Sequence, residues 1–244
     1  MKKYILTALG SLISLAMVGV AIASPVDGMV AVGEPGATLT GYKPCALADA
    51  SCAKTSLEQV QVKAFLIDAY EVTWADVKAC VDEKRCDLSD WASGRAEHVI
   101  KQDATKANYP ADLPVEDAIN YCKANGKRLP EPEEWLLAAM GTELQDYVWG
   151  DDAIEGSWSA TVGEVGKYPR DLSVWGAYDM GGNATEWVNG KYHGEVSANA
   201  KCGDPRTWPS MGNANLVKIY EQFGVHSAQP IERQEYRGFR CVKN

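Results

Sequence analysis

The chain predicts an α+β fold that is rich in loops and sparing in regular structure. Three observations carry this reading. Short apolar or alternating runs suited to strands come first, at 28–32 and 60–68; helix-length stretches with start and stop signals follow between 73 and 141; from Val148 onward Gly, Pro, Asn and Asp interrupt the chain every few residues. Strand signals and helix signals in separate blocks belong to α+β architecture, not to alternating βαβ units. The aromatic content agrees, with 8 Trp and 11 Tyr against 3 Phe beside 22 Gly and 11 Pro. In such a mixture amphipathic rings pin irregular backbone and use their polar tips as hydrogen-bond donors.

Taken in order, Met1-Lys2-Lys3 leads into an apolar run from Tyr4 to Ile22 and then Ala21-Ile22-Ala23-Ser24-Pro25. A short basic region, an apolar core and an A-x-A site read as a cleaved secretory signal over residues 1–23. An uncleaved anchor is the alternative, since the run is marginally long enough to span a bilayer; the small-residue site and Pro25 favour removal. No cysteine follows the site, so nothing supports lipoprotein anchoring. The expected product is a single domain over residues 28–244, secreted or periplasmic and with no membrane attachment. Its length suits one large domain with a buried core. Without Lys2 and Lys3 the formal charge moves from −9 to −11. A surface of that sign repels nucleic acid and anionic lipid, so neither is expected as a partner.

Gly28-Met29-Val30-Ala31-Val32 predicts a first short strand, and residues 33–57 read as a loop tethered by cysteines. Val60 to Asp68 partly alternates and then turns apolar, as strands entering a core do. Thr73 with Asp76 three residues on is an N-cap arrangement, predicting a helix from Trp74 to about Val81 with Val77 and Val81 on one face. Residues 87–112 are polar and read as irregular. A second helix is expected from about Val115 to Ala124, with Ala118, Ile119 and Cys122 inward and Gly126 closing it. A third starts at Pro132, whose ring suits the first helical position, and stops before Gly141; Trp135, Leu136 and Ala139 form its buried stripe. Short strands and loops fill the remainder.

Seven cysteines in an exported chain are expected to be mostly paired. Cys45 and Cys52 lie close together, as do Cys80 and Cys86, and each pair would close a small loop, although spacing alone does not fix connectivity. Of Cys122, Cys202 and Cys241, one is left over. The three histidines, His98, His193 and His226, show no metal-ligand spacing. Glu133 and Glu134 are helix-start charges that complement the macrodipole.

The segment Val174-Trp175-Gly176-Ala177-Tyr178-Asp179-Met180-Gly181-Gly182-Asn183-Ala184-Thr185-Glu186-Trp187 is the densest in signal. Asp179 and Glu186 flank a Gly-Gly-Asn turn. Consecutive glycines can take positive φ and turn carbonyl oxygens toward a point both carboxylates reach, the kind of oxygen cage a hard cation such as Ca²⁺ uses. A tight turn with Glu186 in solvent is the plainer alternative.

This segment resembles the G-L-Y-D-M-x-G-N-x-x-E-W signature of the formylglycine-generating enzyme (sulfatase-modifying factor) family. Further motifs fall in the family's order. Ala69-Tyr70-Glu71-Val72-Thr73 is similar to K-Y-E-V-T, and Pro110 to Cys122 follows P-V-x-V-S-W-x-D-A-x-x-Y-C. Gly126 to Trp135 resembles G-K-R-L-P-T-E-A-E-W, Val148-Trp149-Gly150 resembles P-W-G, and Arg237-Gly238-Phe239-Arg240-Cys241 ends in G-F-R-C. The resemblance implies a single domain related to the C-type lectin fold. It implies a Cys122–Cys241 disulfide, leaving Cys202 as the odd thiol beside Cys45–Cys52 and Cys80–Cys86. It also implies a structural Ca²⁺ held by the side chains of Asp179 and Glu186 and the carbonyls of Gly182 and Ala184. Asn183-Ala184-Thr185 is a glycosylation sequon, read as incidental because Asn183 already has a turn role in the motif.

The resemblance fails at the chemistry. Active family members use two nearby thiols that bind copper(I), upstream of G-F-R-C, and soft thiolates select that ion. Residues 188–236 here contain one cysteine, Cys202. Copper and formylglycine generation are therefore not expected. The reading that follows is a non-catalytic, exported binding or scaffold domain for a peptide, glycan or protein ligand, with Trp158, Trp208 and Tyr220 as candidate anchors. An oxidoreductase acting on protein cysteines through Cys202, its weak catalytic candidate, is the alternative.

Overall fold

The computed structural model describes residues 28–43, 58–143, 145, 147–150, 162–192, 195–199, 226–227 and 236–244. The chain begins with β1 (Met29–Val32), β2 (Thr38–Tyr42), β3 (Gln59–Lys63) and β4 (Phe65–Asp68). Helices α1 (Trp74–Asp82), α2 (Asp90–Gln102), α3 (Val115–Ala124) and α4 (Pro132–Met140) follow, with a 3-10 turn at Ala104–Asn108 between α2 and α3. The rest is β5 (Thr185–Tyr192), β6 (Glu195–Asn199), β7 (His226–Ser227), β8 (Arg237–Phe239) and β9 (Val242–Lys243). Among the described residues there is no closed barrel, and no helix is long and apolar enough to cross a membrane.

Chain ends meet in the first sheet, ordered β1-β4-β9 and antiparallel throughout, so the C-terminal strand closes on the N-terminal pair. The β2–β3 hairpin is separate, with Thr38 opposite Lys63 and Tyr42 opposite Gln59. The last sheet runs β7-β6-β5-β8, where β5 and β8 are parallel and pair Glu186 with Gly238.

Two apolar clusters fill the interior. The first packs Val30, Val32, Phe65 and Ile67 against Trp135 to Met140 of α4 and Val242 of β9. The second gathers α1, α2 and α3 around Trp74, Val77, Ala96 and Cys122, with Trp187 and Phe239 joining from the last sheet. The three expected helices form where their signals place them. Thr73 and Asp76 make a reciprocal capping box at α1. At α4 the Glu134 carboxylate accepts from the Glu131 N–H at 2.8 Å, which satisfies the backbone donor of the N-cap residue from the third helical position. α3 starts at Pro114 without any side-chain cap.

Two expectations are corrected. Residues 87–112 are not irregular: α2 runs through them, capped by Ser89 and buried on Ala92, Ala96 and Val99. Its stripe is of small residues while Trp91 stands 54% exposed, so the apolar period is faint. Ser89 is itself held by Asp117 of α3, whose carboxylate accepts from the Ser89 N–H at 2.7 Å and Oγ–H at 2.8 Å. Residues 33–57 are likewise not all loop, since β2 lies there.

The disulfides Cys80–Cys86 and Cys122–Cys241 are present, with Cα separations of 5.4 and 5.6 Å. The second ties α3 to the C-terminus across 119 residues; restricting so long a loop is worth about 4–5 kcal/mol in the chain-entropy model. Cys45, Cys52 and Cys202 lie outside the described residues.

Tyr236 links the second cluster to β8: its hydroxyl accepts from Trp74 Nε1 at 2.9 Å and donates to the Pro110 carbonyl at 2.6 Å. Burial, reinforced by Asp112 and Glu71, pushes this phenol up to about 12 against the partial relief of the Trp74 bond. An unfolded tyrosine ionises near pH 10 or so. Stability is thus fully present below that value and falls as pH rises through the folded pKa of about 12. Tyr236→Phe is expected to lower stability near neutrality by about 1–3 kcal/mol and to show a shallower alkaline loss. Urea unfolding of both proteins at about pH 8 and about pH 11 checks this.

Candidate functional site

The turn before β5 is built on charge. Asp179 and Asn183 hold left-handed backbone, with φ of 59° and 65°. Asn and Asp tolerate that conformation better than other side chains bearing a Cβ. The Gly-Gly pair has a different use from the one expected. A Cβ at Gly181 would stand 3.0 Å from Asp171 Oδ1 and 3.2 Å from the Trp149 ring, so that glycine permits close approach and does not supply positive φ. Asp171 accepts from the Gly181 N–H at 2.7 Å, and Asp179 accepts from the Gly166 N–H.

Glu186 points inward from β5 and is fully buried. Arg240 meets it fork to fork: Nε reaches Oε2 at 2.8 Å and Nη2 reaches Oε1 at 2.8 Å. Trp135 of α4 donates Nε1–H to Oε2 at 2.7 Å. Arg240 spends its remaining donors on the carbonyls of Asp68, Ala69 and Tyr178. Burial opposes the Arg240 charge, but the attraction of Glu186, with Glu71 and Asp179 further off, overrides it and raises the pKa. Glu71, buried beside them, accepts from Asn183 Nδ2 at 2.6 Å and from the Ala184 N–H at 3.0 Å.

The four expected calcium ligands therefore share one turn, but Glu186 does not fit the role of an anionic cation ligand. Three N–H donors converge on it, and a fully buried guanidinium matches its charge. Around the two carboxylates Arg240 pairs with Glu186 and the Gly166 amide engages Asp179, so a cation at this turn would compete with Arg240 for Glu186. No group of three or more His, Cys, Asp or Glu side chains able to hold a metal ion occurs among the described residues. Sequence reading missed Arg240 as the partner, although the G-F-R-C motif contains it. Asn183 is buried and bonded to Glu71, so its sequon is closed to modification in the folded chain.

A second polar group lies where β8 begins. The Arg237 guanidinium sits 5.2 Å over the Trp187 ring, and its Nε is buried without a hydrogen-bond partner among the described residues. Asp112, whose carboxyl is pushed up by burial against the pull of Arg237 and Arg95, accepts from the Arg237 backbone N–H at 3.2 Å. Of the expected candidates, His98 is exposed on α2; Cys202, Trp158, Trp208 and Tyr220 lie outside the described residues.

Fold and site together define a loop-rich α+β domain closed by a buried Arg–Glu pair and a disulfide near its C-terminus. Solved structures share this fold. CarF aligns with a TM-score of 0.55 at 17% identity, covering 88% of this chain and 97% of that one. PvdO from Pseudomonas aeruginosa aligns at 0.50 with 21% identity, covering 88% and 93%. The sequence matches the Sulfatase-modifying factor enzyme 1-like domain over residues 18–244, and the chain belongs to that family. A formylglycine-generating enzyme of Mycobacterium tuberculosis is 29% identical over 197 residues, 63% of this chain and 64% of that protein. This chain thus spans less than two thirds of that relative's length. The inactive C-alpha-formylglycine-generating enzyme 2 of Bos taurus is 27% identical over 244 residues, covering 76% of this chain and 79% of that protein.

Two outcomes follow from the geometry. Arg240→Met is expected to destabilise the fold by about 3–5 kcal/mol, because it strands Glu186 without a counter-charge. The double variant with Glu186→Leu should regain a large part of the loss, as read by chemical unfolding. Thermal melts with and without a calcium chelator are expected to coincide; a lower melting temperature in chelator would restore Ca²⁺ to the turn.

Proposed function

We propose that this chain is an exported, non-catalytic member of its family that keeps the scaffold and binds a partner with it. One observation carries the loss of chemistry: between 188 and 236 there is a single cysteine, Cys202. The described disulfides cannot supply a second thiol, since Cys80, Cys86, Cys122 and Cys241 are already paired. Two-coordinate copper(I) needs two soft sulfurs. The relatives named as inactive formylglycine-generating enzymes support the same reading.

The binding half of the proposal rests on the start of β8. The Arg237 side chain lies on the Trp187 ring with a buried donor unmatched among the described residues, at the edge of the stretch where active relatives keep their thiols. A buried donor of this kind favours an acceptor-bearing ligand over a purely apolar one. The signal-like residues 1–23 and the disulfides, which persist in oxidising compartments, support the export part of this reading.

The deciding experiment incubates the mature protein with a Cys-x-Pro-x-Arg peptide, Cu(I) and oxygen, followed by mass spectrometry. The peptide is expected to keep its cysteine, and the protein to retain no stoichiometric copper. Conversion of that cysteine to formylglycine would overturn the proposal.

A further inference from the structure

The two disulfides differ in what surrounds their sulfurs. Cys122 and Cys241 are both completely buried in the second cluster, closed to any attacking thiol. Cys80 is also completely buried, but its partner Cys86 is half-buried, in the link between α1 and α2. Two N–H donors converge on the buried sulfur: Arg85 Nη1 at 3.5 Å and Asn125 Nδ2 at 3.7 Å from Cys80 Sγ. Arg85 Nη1 also reaches Asn125 Oδ1 at 2.5 Å, so the two donors brace each other. Glu83 takes Arg85 Nε at 2.5 Å and offsets part of its charge.

From this asymmetry we infer that Cys80–Cys86 is a thiol–disulfide exchange site, attacked at Cys86 and leaving at Cys80. An external thiolate would bond to Cys86 Sγ as the S–S bond breaks, and the electron pair would stay on Cys80 Sγ. Thiolates form readily beside Arg, and a stabilised thiolate is the better leaving group. A second thiolate then attacks the mixed disulfide. It releases the oxidised thiol pair and leaves Cys86 reduced, so two electrons pass from the thiols to the protein. The substrate class is a thiol. In reverse, the reduced Cys80 and Cys86 thiols would attack an external disulfide, release it as two thiols and re-form their own S–S bond, so two electrons pass from the protein to that disulfide. The assignment is independent of Cys202 and of the binding proposal.

The test equilibrates the full mature protein in glutathione redox buffers, quenches with an alkylating agent and maps the labelled cysteines by mass spectrometry. Cys80–Cys86 is expected to open while Cys122–Cys241 stays closed, which also reports that the fold is intact. Two variants separate chemistry from loosened packing, because each weakens the contacts of Arg85 yet they should act oppositely. Arg85→Met, losing the donor to Cys80 Sγ, should slow opening by about tenfold. Glu83→Gln, losing the carboxylate that offsets Arg85, should speed it. Joint opening of both disulfides, unchanged rates, or rates moving in the same direction in both variants would overturn the assignment.

Discussion

The bidentate pair between Arg240 and Glu186 is the contact on which the other parts converge. Both side chains are fully buried, where ions are costly unless paired and hydrogen-bonded. The structure meets that demand from five directions. Trp135 brings α4 to Glu186, while carbonyls of Asp68 and Ala69 bring the end of β4 to Arg240 and that of Tyr178 brings the turn before β5. β5 and β8 carry the pair in parallel register, Glu186 beside Gly238. A glycine is needed at 238 because a Cβ there would stand 3.0 Å from the Ala184 Cβ. Packing alone would let these elements slide; a planar fork with fixed partners does not.

The neighbouring acidic side chains extend the same logic. Asp68, raised by burial and drawn back by Lys127, accepts from Lys127 Nζ at 2.5 Å and from the Cys241 N–H at 2.8 Å. It therefore fastens the residue after Arg240 to β4, next to the disulfide that fastens Cys241 to α3. Arg128 takes both oxygens of Glu134, at 2.6 and 2.7 Å, and joins the α3–α4 link to the start of α4. This ion pair is partly exposed, and exposed pairs contribute little stability; its use lies in fixing where α4 begins.

Legibility in the sequence divided along physical lines. α1, α3 and α4 announce themselves because their signals are local: Thr73 with Asp76, Gly126 after the expected helix to Ala124, Pro132 at the first turn. α2 does not, because Ala92 and Ala96 are too small to mark a stripe, Gly94 interrupts it, and exposed Trp91 argues for the wrong face. β2 is hidden for a similar reason, as its residues are mostly half-buried or exposed. In the turn at 179–186 the acidic residues were visible and their purpose was not. Two carboxylates around glycines suggest a cation cage, and the guanidinium that pairs with Glu186 lies 54 residues further on. A charge must be matched in three dimensions, so local spacing could show the need for a counter-ion without showing that the chain supplies its own.

The placement of these constraints agrees with the proposal that the family scaffold outlasts its chemistry in this chain. Among the described residues, the partners named above for Arg240 and Glu186, and both ends of the Cys122–Cys241 bridge, lie before 188 or after 236. On the proposed reading, replacing thiols between 188 and 236 removes soft ligands while leaving these contacts in place. Substitution at Arg240, Glu186 or Trp135 has no such freedom, since each would leave a buried polar partner unmatched. The contacts described for the Arg240–Glu186 pair thus do not call on a second thiol, in keeping with the proposed loss of catalysis.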